Sequence, residues 1–327
     1  MLEPMPRIES AFLLLLATLA CPPPGQAQAG QLAEGDRVRL AEAFRLADRV
    51  RATVWPGWER TPMAVLLVAG SAEYLVAHPR PSAEFTSLGR DPLLGHEVLR
   101  RPRRFPPTLL ATFPAVGGLP TIVVGTAERT GKSSAEWVLT LLHEHFHQWQ
   151  TSLPGYYARA SGLGLAQGDT TGQWMLDYAF PYDSLPVQRA VRALAASLAA
   201  GVPEAVVGER ERLRGLLSAE DYRYLEFQLW QEGVPRYLEL AVAEAALRAG
   251  EPGAAFRALP DFQPYEAVVR RLRARHDRDL AELHLESDRR VAFYPLGAGV
   301  AALLERSGRD WREAYERQPF SLLALVR

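Results

Sequence analysis

Apolar residues recur along this chain in two rhythms, one in each part. Up to residue 125 the apolar runs are mostly short. Residues 64–68 (Ala64-Val65-Leu66-Leu67-Val68) form an unbroken apolar run between Pro62 and Gly70, which predicts a strand. Residues 73–77 read as another, residues 108–112 as a strand-like piece within the proline-rich stretch 78–120, and the β-branched run 121–125 as a further strand. One helical pattern precedes them, with Leu32, Val38, Leu40, Phe44, Leu46 and Val50 at helical spacing over residues 32–52, broken by Trp55-Pro56-Gly57-Trp58.

From residue 133 the rhythm is helical. Ser133 and Glu136 make a capping box that opens a helix running to about Ser152, where Pro154-Gly155 stops it. Further helices are predicted over residues 187–200, 218–249 with an interruption at Pro235, 265–285 and 292–306, with a short turn over 310–315. There is no internal repeat and no low-complexity linker. A strand-rich part followed by a mostly helical part predicts an α+β fold. The division is a leader over 1–29, a mixed α/β part over 30–132 with an edge strand before the first C-terminal helix, and a helical part over 133–327 that forms one unit with it.

Composition changes this picture at the N-terminus only. Of 327 residues, 48 % are hydrophobic and 23 % charged, an ordinary globular balance. Residues 11–20 are an apolar run too short for a membrane span of roughly 20 residues, followed by Pro22-Pro23-Pro24-Gly25 and the small-x-small Ala27-Gln28-Ala29. That order predicts a secretory signal peptide and a secreted or periplasmic protein. Thr18-Leu19-Ala20-Cys21 partly resembles a lipoprotein box, with Thr18 where leucine is usual, so anchoring through Cys21 is the alternative. Cleavage after Ala29 would remove the only cysteine, and any metal ligand must then be His, Asp or Glu. Removing Arg7, Glu3 and Glu9 from 37 basic and 38 acidic residues leaves 36 of each. A balanced charge offers nothing to nucleic acid, and no stretch of the mature chain reads as a membrane span.

The chemistry concentrates in His143-Glu144-His145-Phe146-His147. Histidines four apart on a helix share one face, about one turn apart, and can converge on one Zn²⁺. Glu144, one step round, is offset from that pair and suited to take a proton from a zinc-activated water. Helix geometry turns His145 elsewhere, toward a surface or supporting position. Flanking Leu141, Leu142, Phe146 and Trp149 predict that the helix is buried. The glycine-flanked segment 125–133 has five residues between glycines where a phosphate loop needs four, so it reads as a turn ending in the Ser133 cap. No Gly-x-Ser-x-Gly elbow is present; His276 and His284 read as a solvated face, and His78 and His96 take no role.

A third histidine six residues after His147, the metzincin pattern, is excluded by Leu153. The chain resembles instead secreted bacterial gluzincin-type zinc metallopeptidase-like proteins. The resemblance rests on the helix motif, on Trp230-Gln231-Glu232-Gly233-Val234-Pro235-Arg236-Tyr237-Leu238-Glu239, and on Tyr294-Pro295-Leu296-Gly297 before an apolar helix. The second segment is similar to Glu-Gly-x-Ala-x-Tyr, with Pro235 where alanine is usual. The resemblance implies a thermolysin-like active-site helix and Glu232 as third ligand, with Glu226 and Glu239 as rivals. It implies hydrolysis of a peptide or protein substrate with Glu144 as general base. Tyr294 is a donor to the oxyanion or a core tyrosine; Tyr237 is a weaker candidate for the first role. The alternative function is a zinc-binding scaffold without turnover.

Overall fold

The apolar run at 64–68 becomes β1 (Val65–Ala69), and its alternate residues face two different cores. Val65 and Leu67 pack with the main core, Leu66 and Val68 with a smaller one on the other side of the sheet, so the strand has no polar face. β2 (Ala72–Val76) returns antiparallel across the Gly70-Ser71 turn. β3 (Thr86–Arg90) and β4 (Glu97–Pro102) follow, then β5 (Leu110–Val116) and β6 (Leu119–Gly125). The β5–β6 hairpin turns through Gly117 and Gly118, both at positive φ (56° and 69°), as a tight hairpin requires. The sheet order is β3-β4-β2-β1-β6-β5, with β1 and β6 the parallel pair. β3 escapes the hydrophobic pattern because it is an exposed edge strand along its whole length.

In this computed structural model residues 31–308 and 310–327 are described, so the predicted leader and Cys21 lie outside the described residues. Leu32–Arg327 form one unit. Its helices are α1 (Glu34–Val54), α2 (Ser134–Ser152), α3 (Tyr156–Gly162), α4 (Trp174–Asp177), α5 (Leu185–Ala200), α6 (Pro203–Leu216), α7 (Ala219–Gln228), α8 (Val234–Ala246), α9 (Ala254–Arg257), α10 (Tyr265–Ala281), α11 (Leu285–Asp288), α12 (Phe293–Arg306) and α13 (Arg312–Arg317). The fold is α+β, with the six-stranded sheet in the N-terminal part and helices dominating the rest. None of the described helices is long and apolar enough to cross a membrane. The helix α6 is missing from the sequence reading because only Val206 and Leu213 of it are buried, too few to set a period.

α2 is the axis of the molecule. It opens on the expected capping box: Ser133 N–H donates to Glu136 Oε2 (3.0 Å), and Ser133 Oγ accepts from the Glu136 N–H (3.4 Å). Asp261 adds a second anchor, accepting from the Ser134 N–H (2.6 Å) and Oγ (2.8 Å). The helix then runs against β5 and β6, α1 and α8, buried around its full circumference. A helix enclosed in this way must satisfy every polar side chain it carries.

The break expected at Pro235 falls earlier. Between α7 and α8 the chain makes a π-helical turn, Leu229–Gly233, and Pro235 sits in the first turn of α8, where its missing N–H costs no bond within α8 itself. In a continuous α-helix the Pro235 N–H would meet the Gln231 carbonyl. That carbonyl instead accepts from the Gln150 side chain of α2 (Nε2–O 3.1 Å).

Candidate metal centre

Two segments far apart in sequence meet at the π-turn. A Cβ added to Gly233 would lie 2.3 Å from the Gly297 Cα, and one added to Gly297 would lie 2.5 Å from the Leu229 carbonyl oxygen. Only glycine at both positions lets α12 cross the π-turn backbone to backbone. Glu232 precedes one of these glycines and Tyr294 stands three residues before the other on α12. The crossing therefore brings both toward the same face of α2.

On that face His143 and His147 are one turn apart, with ring centroids 5.0 Å apart. A single Glu232 oxygen, Oε2, faces both rings, 3.9 Å from His143 Nε2 and 3.5 Å from His147 Nε2. Ligands bound at 2.0–2.1 Å in a tetrahedral array lie roughly 3.3–3.4 Å apart. The Glu232–His147 separation is close to the spacing of ligands that share one zinc ion, and the Glu232–His143 separation is about half an ångström wider.

Hydrogen bonds fix which nitrogen is free. His143 Nδ1 lies 2.9 Å from Glu239 Oε1, and Arg236 and Arg275 hold that carboxylate from the other side. Burial alone would raise the Glu239 pKa; Arg236, His143 and Arg275 hold it well below the usual carboxylate range. His143 therefore donates from Nδ1 and presents the Nε2 lone pair to the site. His147 does the same through Gln150. The Gln150 NH₂ group is committed to the Trp230 and Gln231 carbonyls (3.1 Å each) and the Tyr315 hydroxyl (2.7 Å). Its Oε1 lies 2.7 Å from His147 Nδ1, and Gln231 Nε2 stands 3.0 Å from that nitrogen and 3.2 Å from the same oxygen; with Nδ1 and Gln231 both donating to Gln150 Oε1, His147 Nε2 is left to the site. One buried amide thereby secures the π-turn that carries Glu232 and orients the second histidine.

Burial by itself would lower the His143 pKa, but Glu232, Glu239 and Glu144 outweigh it and push it up to about 9. The same charges favour any cation at this point, proton or metal ion. The donor set, two imidazole Nε2 atoms and one carboxylate oxygen, suits zinc. Glu144 also lies near, its ligand atom and those of His143 and His147 all falling within 4.8 Å of one another. Its Oε2 is engaged by the Thr112 hydroxyl of β5 at 2.8 Å. Glu232 is the carboxylate whose one oxygen faces both rings.

The rivals separate cleanly. Glu239 contacts the far nitrogen of His143 and supports the ring. Glu226 accepts from the Tyr222 hydroxyl and the Leu323 N–H, both at 2.9 Å, and burial pushes it up to about 7. Tyr294 lies on the face of α2 that carries His143 and His147, its ring stacked on His143 (centroids 6.3 Å apart, planes at 12°) and its hydroxyl accepting from Arg290 Nη1 at 2.9 Å. Tyr237 packs on Trp311 instead.

His145 is neither at the surface nor beside the His143–His147 pair. It is fully buried on the opposite face of α2, where Nδ1 meets Gln148 Oε1 (2.9 Å) and Nε2 meets Arg51 (3.2 Å). His276 is half-buried beside Glu239 and Arg236, and His284 lies just before α11, not on the helix expected to carry both. In the segment 125–133, Thr130 and Lys132 N–H groups bond back to the Thr126 and Ala127 carbonyls, as a turn does and a phosphate cradle does not. A cleft of about 560 Å³ opens beyond the C-terminal end of α2, lined by Arg60, Trp149, Leu153, Arg312 and Glu316 among others; none of the centre's residues lines it.

Sequence reasoning did not single out Gln150, Thr112 or Arg290. Gln150 was within reach, three residues after His147 and so on its face of the helix. Arg290, four before Tyr294, carried a similar signal. Thr112 carried none, because strand-to-helix contacts leave no trace in spacing. Comparison with known protein families, with curated proteins and with solved structures finds no match to this chain.

Proposed function

We propose that the protein is a zinc-dependent metallopeptidase of the gluzincin type, exported to hydrolyse peptide bonds, with α2 as its thermolysin-like active-site helix. The observation that carries this reading is the convergence of His143 Nε2, His147 Nε2 and Glu232 Oε2, with Glu144 next in line on the same helix. A zinc ion held there would supply Lewis acidity and lower the pKa of a bound water.

The residues divide the remaining work. The Thr112 hydroxyl, shared between the Glu144 carbonyl and Oε2, lies on one side of the carboxylate, and Oε1 takes a proton from the attacking water and returns it to the leaving amine nitrogen. Tyr294 donates its hydroxyl proton to the oxyanion, and the Arg290 N–H that it accepts makes it a stronger donor.

A peptide substrate is supported by β5. Among the described residues it is the last strand of the sheet on this side, so one of its edges has no partner strand there. Gly125 N–H bonds the Leu109 carbonyl, and the antiparallel alternation then turns the Leu110 and Thr112 backbone groups outward. An extended peptide adding to that edge would run past Glu144, which Thr112 touches.

The test is Glu144→Gln beside the unaltered mature chain. Both should hold about one zinc per chain, and only the unaltered protein should cleave a broad peptide library. Zinc well below one per chain would count against the centre. Equal cleavage by both proteins would remove the peptidase reading, and zinc without cleavage by either would leave a binding scaffold.

A further inference from the structure

Arg290 polarises the Tyr294 hydroxyl with a single N–H, which leaves most of its guanidinium on this face without a role in the chemistry so far. It sits in the short turn Arg289–Ala292 ahead of α12, half-buried. Only Nη1 is engaged, at 2.9 Å from the Tyr294 hydroxyl and 3.4 Å from Glu232 Oε1. A committed ion pair closes to about 2.7–2.9 Å, so the contact with Glu232 is loose and the short one is to a neutral group. Nε and Nη2 make no hydrogen bond to the described residues, and neither is among the atoms sealed from solvent without a partner.

Charge sharpens the point. Glu232 and Glu144 together balance a divalent cation, and Glu239 is already held by Arg236 and Arg275. With a metal bound, Arg290 is a surplus cation in a poorly solvated site, which costs free energy unless an anion meets it. A guanidinium with two adjacent N–H groups free is shaped for the two oxygens of a carboxylate.

We propose that Arg290 receives a substrate carboxylate, which makes the preferred substrates peptides that carry one beside the scissile bond. The guanidinium touches Glu232 Oε1 while Oε2 of the same carboxylate faces the histidines. It therefore stands one carboxyl group away from the reacting centre. That reach matches the residue adjoining the scissile carbonyl, since one extended residue spans roughly 3.5 Å. A C-terminal carboxylate and an Asp or Glu side chain share this chemistry. The inference rests on the metallopeptidase reading for the bond broken, and on Arg290 alone for the group recognised.

The experiment uses the zinc-loaded mature chain and three matched sets of N-acetylated peptides: C-terminal acids, the same peptides as C-terminal amides, and amides with Asp or Glu flanking each bond. Cleavage is measured with the unaltered protein, and binding by calorimetry with Glu144→Gln. Peptides with a carboxylate, terminal or side-chain according to its source, should bind and react about tenfold to a hundredfold better than the uncharged amides, the range of a charge-assisted pair. Arg290→Met should bring that ratio near one, with Arg290→Lys between, at unchanged zinc content. Cleavage without preference among the sets would overturn this inference and leave the peptidase. Carboxylate-selective binding through Arg290 without cleavage would do the reverse. A uniform loss in Arg290→Met together with weaker zinc binding would show that Arg290 only braces Glu232, and would overturn the inference as well.

Discussion

Two faces of one helix carry histidines two residues apart and treat them in opposite ways. His143 and His147 meet carboxylates and amide acceptors on one side of α2, and the His143 pKa is pushed up to about 9. His145 meets Arg51, Gln148 and Trp58 on the other, and burial, with Arg51 adding to it, brings it down to about 3. All three rings are buried. The difference is the countercharge within reach: Glu232, Glu239 and Glu144 on one face, a guanidinium on the other. Burial alone makes an imidazole neutral and structural, and burial beside carboxylates makes a cation site.

The sharpest way to break this comparison is to remove one histidine from each face. His147→Ala should lower zinc affinity about a hundredfold to a thousandfold, because roughly 10–16 kcal/mol of site energy is shared among about four ligands. His145→Ala should keep zinc near one per chain and instead lower stability by about 2–4 kcal/mol, through the cavity and the stranded Gln148 and Arg51 groups. Metal analysis with thermal unfolding of both variants decides it. Zinc lost from His145→Ala in a folded protein would mean that the faces are not independent.

Gln150 sharpens the comparison on the His143–His147 side. Gln150→Leu leaves every ligand in place but removes the acceptor for His147 Nδ1 and the donor to the Gln231 carbonyl. Zinc affinity measured against a chelator should fall about tenfold to a hundredfold, the usual effect of losing a ligand's support. Glu239→Gln should act in the same direction through His143, while Gln148, the counterpart that supports His145, should be silent in that assay.

The smallest expected effect tests the underlying rule on a different residue. Glu226 is buried without an ion-pair partner, and its pKa lies near 7 rather than the usual 4.5. The folded state then binds the proton more tightly than the unfolded state. Stability is lost as pH rises from about 4.5 through about 7, and is constant above that. Between pH 5 and pH 7 the loss should be roughly 2 kcal/mol. Glu226→Gln keeps an acceptor for Tyr222 or Leu323 and should flatten this dependence in thermal unfolding. An unchanged pH profile would mean that Arg210 compensates the buried charge.

Much of the fold was legible in the chain because its strongest signals are local. The Ser133–Glu136 box marked the start of α2 to the residue, and the unbroken apolar run at 64–68 marked a strand that has cores on both faces. The strand β3 and the helix α6 were not legible, because neither buries enough apolar surface to set a period. In the candidate centre the two histidines and Glu144 follow from the 3.6-residue turn. Glu232 came by resemblance, and nothing local separated it from Glu226 and Glu239.

By itself, then, the sequence determined the α2 motif, its cap and the order of strand-rich and helical parts, since each depends on residues within a few positions of one another. The tertiary structure decided which glutamate faces the histidines. That choice is made by the Gly233–Gly297 crossing, by a carbonyl that Pro235 leaves unpaired and by Gln150, which fills it. These are contacts between segments some 64 to 81 residues apart, where steric fit and hydrogen-bond satisfaction rather than spacing set the outcome.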